Sequence, residues 1–277
     1  VYRLLSGNCK DSEWSRYGWR ETYGTEHGYR MILDLGDWSQ RGCYYHGRFY
    51  DLANQRLIRR LLSEGDTYID VGANIGMMTL AAARVVGSTG RVLSFEPNPQ
   101  ARQHLDAHVR INGLTQVRVV DKGLSCERGQ LTLRLPVNSS GRGTMRNLSG
   151  DTAGEFQVDV ALLDDYLAQI PTDCRVLLKV DTEGFDFNVL RGARGLLLRN
   201  NVFAVAEVND AWLKEMGQSA EAMFNYMEEL GYDAYFADMC PRGLSQKLDI
   251  RPVSMPGPHH WFDALFARHE DREIVCG

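Results

Sequence analysis

Thr67-Tyr68-Ile69-Asp70-Val71-Gly72-Ala73-Asn74-Ile75-Gly76-Met77-Met78-Thr79-Leu80-Ala81-Ala82-Ala83 runs from a β-favouring apolar segment, through two glycines, into a helix-favouring one. Gly72 and Gly76 let the backbone turn sharply and approach a ligand at a helix N-terminus, where unpaired N–H groups favour a polar or anionic guest. The next strand, Arg91-Val92-Leu93-Ser94-Phe95-Glu96, ends in an acid about 20 residues on, placed to accept both hydroxyls of a ribose. A dinucleotide loop needs Gly-x-Gly-x-x-Gly. Here Asn74 takes the middle glycine's place, where its side chain obstructs a pyrophosphate. Asp70 repels phosphate and suits an ammonium group. Together these features point to S-adenosylmethionine, which carries a ribose, an adenine, a sulfonium and an α-amino group but no phosphate. Close helix-on-strand packing is the other reason for such a glycine pair, and the two acids weigh against it.

Outward from this loop, apolar runs and helical patterns alternate. Strands are predicted at Thr67 to Val71, Val92 to Glu96, Val117 to Asp121, Arg175 to Asp181 and Val202 to Val208. Helices are predicted from about Ile75 to Val86, Pro99 to Ile111, Phe187 to Leu198 and Ala220 to Leu230. The spacing of Leu52, Ile58, Leu61 and Leu62 predicts a further helix ahead of the first strand, stopped at Gly65. Repeated β-α units require a parallel sheet with helices on both faces. The last two strands, Tyr232 to Ala237 and Trp261 to Ala267, have no helix between them, so one is expected to run antiparallel. Gln130 to Leu135 and Glu155 to Val160 alternate like the arms of a hairpin around the polar link Asn138 to Thr144, which is expected near the ligand edge. Residues 1–50 are rich in aromatics, with one strand predicted at Arg30 to Leu35 and a turn at Gly36-Asp37. Too short for a core of their own, they read as a cap over the main domain or as an edge hairpin.

A net charge of −5 without a dense Lys/Arg stretch disfavours nucleic acid, whose phosphates call for a basic face. The six cysteines form no Cys-x-x-Cys pair, which argues against a zinc site or a disulfide scaffold and points to a reduced, cytoplasmic enzyme. No apolar run reaches the roughly 20 residues needed to span a bilayer, and no signal-peptide pattern opens the chain. The first residue is Val1, which leaves a trimmed protein or one domain of a longer polypeptide open.

The runs Asp70-Val-Gly-Ala-Asn-Ile-Gly76, Phe95-Glu-Pro-Asn-Pro99 and Leu178-Lys-Val-Asp-Thr-Glu-Gly184, with Val189-Leu-Arg-Gly192 just after, resemble the FkbM family of S-adenosylmethionine-dependent methyltransferases over about residues 47 to 240. The Lys179-x-Asp181-x-Glu183-Gly184 run is the most specific part. The resemblance implies an α/β fold, the class I methyltransferase (Rossmann-like) seven-stranded, mostly parallel sheet with helices on both faces. The residue patterns themselves, outside what the resemblance covers at either end, divide the chain into an N-terminal cap segment (1–50) and a catalytic domain (51–277) that carries a hairpin insertion at about 130–160. The resemblance also implies methyl transfer to a hydroxyl of a sugar, glycan or polyketide-like natural product. Carried over residue by residue, Asp70, Gly72, Asn74 and Gly76 border the methionine moiety, Glu96 holds the ribose, Asp121 lies beside the adenine and Asp51 closes the cofactor pocket. The family often has Asn and small residues where this chain has Asp121-Lys122-Gly123.

Alignment of methyl and acceptor supplies much of the rate of such a displacement, and a neutral alcohol must also lose its proton. The candidate bases are Asp181 and Glu183, with Glu207 on the neighbouring strand and His46, His259 and His260 as alternatives, His46 first among them because it adjoins the Asp51 segment. The ordinary alternative for Asp181 and Glu183 is to cap a helix beginning near Asp186 or to pair with Lys179. Asp181, Glu207, Asn209 and Asp210 at adjacent strand ends also resemble a magnesium ligand set. Because Lys179 offers those carboxylates a built-in cation and acids at strand ends commonly cap helices, no resident metal is expected. Amino-group methylases of DNA carry Asn-Pro-Pro-Tyr where this chain has Asp181-Thr-Glu-Gly184, and Cys240-Pro241 is the reverse of the Pro-Cys of cytosine methylases. Two other classes stay open: a cofactor-binding but catalytically silent module of a larger assembly, and a nicotinamide-dependent oxidoreductase, which the missing glycine disfavours.

Overall fold

The computed structural model describes residues 11–136, 143–146, 152–242, 245–253 and 261–276. The first helices and strands of the main body are α2 (Leu52–Leu61), β3 (Thr67–Val71), α3 (Met77–Val86), β4 (Arg91–Phe95), α4 (Pro99–Ile111) and β5 (Val117–Val120). After an insertion come β9 (Val176–Val180), α5 (Asp186–Gly192), α6 (Arg194–Leu197), β10 (Val202–Asn209), α7 (Asp210–Glu215), α8 (Ala220–Glu229), β11 (Tyr232–Arg242), β12 (Ser245–Pro252), β13 (Trp261–Arg268) and α9 (Arg272–Cys276). The helix predicted over Phe187 to Leu198 is thus two pieces, broken at Ala193.

These strands form one sheet in the order β12-β11-β13-β10-β9-β3-β4-β5. The strands β5, β4, β3, β9 and β10 are parallel, and β13 runs antiparallel between β10 and β11, as the missing helix between the last two predicted strands requires. The resemblance implied seven strands, and the sheet has eight. The extra one is β12, the edge strand against β11, which the run Ser245 to Pro252 conceals because only Leu248 and Ile250 turn to the core in an otherwise polar stretch. From β3 the chain winds outward to β4 and β5, then returns on the other side of β3 as β9 and β10. The strand order therefore reverses between β3 and β9, and a crevice opens there at the carboxyl ends of the strands.

β3 and β9 are buried along their whole lengths, which explains their near-continuous apolar sequences. Ile69, Leu178 and Ala204 face a core shared with α5, α6 and α8, whereas Tyr68, Leu177 and Phe203 face one shared with α2 and α3. α2 presents Leu57, Ile58 and Leu61 to the second core, each fully buried. Burial on this scale stabilises by roughly 1.5 to 3 kcal/mol per side chain. Lys179 breaks the apolar run of β9, and its placement bears on the site.

Residues ahead of α2 form the hairpin β1 (Trp19–Tyr23) and β2 (Arg30–Asp34), followed by α1 (Trp38–His46). The hairpin is tied to α4. His108 Nε2 accepts from the Ile32 amide at 2.9 Å, Asn112 Oδ1 accepts from the Arg30 amide at 2.8 Å, and Trp19 stacks on His104 with centroids 4.2 Å apart. α1 was not predicted, since its sequence lacks an apolar period. Asp37 caps it by accepting from the Ser39 and Gln40 amides, and its Cys43 is buried with Sγ 3.5 Å from Met77 Sδ. The insertion is a three-stranded sheet in which β6 (Gly123–Leu124) and β7 (Gly129–Pro136) flank β8 (Thr152–Ala161). The hairpin arms are as the alternation predicts, and residues 138–142 of the polar link lie outside the described residues. No helix among the described residues is long and apolar enough to cross a membrane.

Candidate active site

The crevice beside β3 opens into a cleft of about 1300 Å³, open solvent at its mouth included. Its walls come from the β3–α3 loop (Asp70 to Met78), the end of β4 (Phe95 to Pro97), Lys122 to Leu124, the β9–α5 loop (Lys179 to Phe185), Glu207 and Trp261. Ser39, Gln40, Cys43, Phe49 and Tyr50 from the N-terminal segment and Leu133, Gly143 and Met145 from the insertion close the remaining sides. Both additions to the plain α/β sheet therefore face the same cleft.

The β3–α3 loop is built from left-handed residues. Gly72, Asn74 and Gly76 have φ of +82°, +51° and +92°. Asn tolerates this region better than other side chains, so Asn74 can stand in a glycine-rich turn. A Cβ at Gly72 would meet the carbonyl oxygen of Asp181 at 1.9 Å, and one at Gly76 would meet Leu105 Cδ1 of α4 at 2.4 Å. Gly72 thus permits two strand-end loops to touch, and Gly76 permits α4 to pack. The loop also fixes Glu96, which accepts from the Asn74 amide at 2.7 Å through Oε2 and from the Asn98 amide at 2.8 Å through Oε1. Each carboxylate oxygen keeps a further lone pair that can face the cleft. Burial pushes the Glu96 carboxyl up to about 7, with the two amides pulling the other way. Asp70 is also buried, accepts from Thr79 Oγ1 at 2.6 Å, and is raised above the usual carboxylate range by that burial.

At the end of β9 the buried Lys179 Nζ donates to Asp181 Oδ2 at 2.8 Å. Burial opposes its charge, yet Asp181, Tyr68, Asp70 and Asp263 together hold it well above the ordinary lysine value. Strand register puts three acids at one level. Ala206 pairs with Val180, so Glu207 is level with Asp181, and Glu207 itself pairs with Asp263 of β13. Asn54 Nδ2 bridges Asp51 Oδ2 at 2.6 Å and Asp263 Oδ2 at 2.5 Å. Burial raises Asp51, and it carries Asp263 up to about 7. One ammonium thus sits among more carboxyl groups than it can neutralise. The arrangement suits a cationic or neutral guest and opposes an anionic one.

Neither Asp181 nor Glu183 occupies the N-cap of α5, which is Phe185 and has no side-chain cap. Asp186, the first helical residue, instead braces the β9–α5 loop, its carboxylate accepting from the Thr182 and Gly184 amides at 3.3 and 3.1 Å. Glu183 has φ of +54°, and its carbonyl accepts from Thr144 Oγ1 at 2.9 Å and Arg146 Nε at 2.8 Å, so the insertion holds the β9–α5 loop in this conformation. The residues of the magnesium-like set are engaged elsewhere. Asn209 accepts from the Trp212 amide, Asp210 accepts from the Ala220 amide and pairs with Lys214, and Glu207 Oε1 accepts from Trp261 Nε1 at 2.6 Å.

Of the residues read from sequence, Asp70, Gly72, Asn74, Glu96, Asp181 and Glu183 line the cleft. Gly76 lies just behind them as the cap of α3. Three further residues read from sequence stand outside this wall. Asp121 follows β5 and is exposed, and the wall takes Lys122, Gly123 and Leu124 instead because β6 begins there. Asp51 caps α2 and supports Asn54, behind the wall. His46 is exposed at the C-terminal end of α1, outside the wall. His259 and His260 lie outside the described residues. Sequence reasoning missed Trp261, Asp263 and Asn54. Only the antiparallel insertion of β13 beside β10 brings the first two to Glu207, and the one available signal was a Trp opening an apolar strand.

The residues fit S-adenosylmethionine in kind: an anchored carboxylate for a diol, a buried acid for an ammonium group, and apolar surface at Pro97 and Leu124 for a flat base. Among relatives, Methyltransferase 1 of Beauveria bassiana is 32% identical over 143 residues, 45% of this chain and 57% of its own. The Hexuronic acid methyltransferase AglP of Haloferax volcanii is 28% identical over 167 residues, 58% of this chain and 65% of its own. The chain thus spans less than two thirds of the length of these relatives. A crystal structure of Methyltransferase FkbM from Methylobacillus flagellatus, 19% identical, covers 74% of this chain and 44% of that one with a TM-score of 0.45. The model of the Methyltransferase FkbM domain matches residues 70–234, more than half of the chain, and these residues supply most of the cleft wall. The chain belongs to the FkbM methyltransferase family.

Proposed function

We propose that this protein transfers the methyl group of S-adenosylmethionine to a hydroxyl of a sugar, glycan or polyketide-like small molecule. The observation that carries this reading is Glu96. It is a buried carboxylate pinned by two amides, beside a left-handed loop, in the same cleft wall as the Lys179–Asp181 pair. When bound, S-adenosylmethionine supplies a methyl group activated by its sulfonium for in-line displacement. The free lone pairs of Glu96 accept from the ribose hydroxyls, and Asp70 faces the amino group. Gly123 and Leu124, rather than Asp121, border the adenine. Asp181 takes the proton of the acceptor hydroxyl. Lys179 fixes its Oδ2 and leaves Oδ1 to the substrate, while the half-exposed side chain faces the cleft mouth. Glu183, from the same loop, is the alternative base.

The carboxyl-rich wall makes a neutral hydroxyl a better acceptor than an anionic group, and the net charge of −5 makes nucleic acid a poor partner. One relative is a hexuronic acid methyltransferase, which supports a sugar as the acceptor class, while the preference for a neutral hydroxyl rests on this chain's own wall. Calorimetry with S-adenosylmethionine, S-adenosylhomocysteine and NAD tests the cofactor. Transfer of labelled methyl to a panel of glycans and hydroxylated polyketides tests the reaction. Tight NAD binding without S-adenosylmethionine binding overturns the proposal.

A further inference from the structure

Glu207 is 8% exposed and lines the cleft. Its Oε1 accepts from Trp261 Nε1 at 2.6 Å, and its Oε2 is buried with no hydrogen-bond partner among the described residues. Buried polar atoms are nearly always satisfied, so a lone one in a cleft wall marks a place where a ligand atom belongs. The indole that holds Glu207 also lines the cleft and is 62% exposed, with Trp212 behind it at a centroid distance of 5.5 Å. A polar atom that lacks a partner and an open aromatic face thus share one side chain contact.

We propose that Glu207 and Trp261 form one acceptor-binding unit, in which the indole lies against the apolar face of a saturated ring and Glu207 Oε2 donates a hydrogen bond to an oxygen carried by that ring beside the hydroxyl that is methylated. The inference rests on the hydroxyl-methylation reading and adds a specificity element to it. The direction of the bond follows from the surroundings. Burial, then Asp181, Asp186 and Glu183, raise the Glu207 carboxyl well above its ordinary range. A buried carboxyl among other acids sheds its charge instead of ionising. A protonated carboxyl has one O–H to give. Since Oε1 is already the acceptor for Trp261, the proton belongs on Oε2. Glu207 is therefore a donor and not a base, which leaves proton removal to the β9–α5 loop. The ligand chemistry is a saturated ring with adjacent oxygens, found in both a pyranose and a hydroxylated alicycle.

The test uses the whole chain saturated with S-adenosylhomocysteine, with methyl β-D-glucopyranoside and trans-cyclohexane-1,2-diol as probes. Infrared difference spectra of wild type minus Glu207→Gln at pH 8.5 are expected to show a protonated carboxyl band. Binding of at least one probe, read by saturation transfer to its ring protons, is expected to survive Glu207→Gln within about threefold, because the amide keeps a donor on that side and an acceptor for Trp261. Glu207→Leu should weaken it about tenfold, the scale of one unpaired hydrogen bond, and Trp261→Ala should abolish the saturation transfer. Which probe binds decides between a sugar and an alicyclic acceptor. Absence of the carboxyl band, equal damage from Gln and Leu, or binding of neither probe overturns the inference. Failure of wild type to bind S-adenosylhomocysteine overturns the methyl-transfer reading instead, and the band and the probes still decide the role of Glu207.

Discussion

Lys179, near the end of β9, and Asp181, just beyond it, form a pair whose two halves live in different media. The ammonium is 6% exposed and the carboxylate 41%. The lysine is thus a fixed internal charge, while its partner faces the cleft. Asp51, Asp70 and Asp263 draw on the same ammonium, so its removal leaves several acids to repel one another.

Lys179→Met is accordingly expected to cost about 3 kcal/mol of folding stability, the range for a buried pair that loses one member. Urea denaturation measures it. Because the remaining acids then hold protons more tightly, the loss should shrink at pH 5. A variant as stable as wild type at pH 8 removes the lysine from the centre of this network.

Gly72→Ala is expected to lose about 2 to 4 kcal/mol, combining a left-handed backbone with a forced overlap. From the sequence, where Gly72 serves a sharp turn close to a ligand, a side chain here both fills space needed by the ligand and disfavours the backbone conformation. The structure adds a further cause, since the added Cβ strikes the Asp181 carbonyl and parts the β3 and β9 loops. The variant should therefore lose stability in the absence of any ligand. Normal melting with weakened cofactor binding alone leaves the filled ligand space as the cause.

The parallel strands, their helices and the hairpin insertion were legible because each follows a strong period. Asp70-Val-Gly-Ala-Asn-Ile-Gly76 also announces its ligand face, since a loop of this kind carries its site in consecutive residues. What stayed hidden depends on pairings across the sheet. Nothing local tells that Asp263 is level with Glu207, that Asn54 bridges two acids, or that α1 forms by docking Cys43 against Met77. Asp121 and His46 stand outside the cleft wall although their neighbours in sequence reach it, because a strand end and a helix terminus turn them away.

Asp181→Asn should leave S-adenosylhomocysteine affinity within about threefold of wild type and lower turnover by about 10²-fold, as for a lost general base. Glu183→Gln should have the smaller effect, because its backbone, more than its side chain, is engaged by Thr144 and Arg146. Isothermal titration and labelled-methyl transfer separate binding from chemistry. Unchanged turnover in both amide variants removes the β9–α5 loop from proton transfer.

The pH response of Glu96 should carry opposite signs with and without ligand. Its carboxyl is raised from 4.5 to about 7 by burial, so in the ligand-free protein it favours the folded state below the unfolded value and loses that contribution as pH rises through about 7. The lost contribution is about 3 kcal/mol at 1.36 kcal/mol per pKa unit. Asp186 and Asp263, also raised to about 7 by burial, act in the same direction. Ligand-free melting temperature should thus fall between pH 5 and pH 8, and Glu96→Gln should flatten part of the fall. Cofactor affinity should instead rise over the same interval, since ribose hydroxyls donate best to the ionised carboxylate, and Glu96→Gln should remove the rise along with about 1.5 to 3 kcal/mol of binding. Scanning calorimetry and cofactor titrations across this range measure both slopes. A ligand-free melting temperature that climbs from pH 5 to pH 8, or an affinity that falls, contradicts the assignment of Glu96 as the buried carboxylate that receives the ribose.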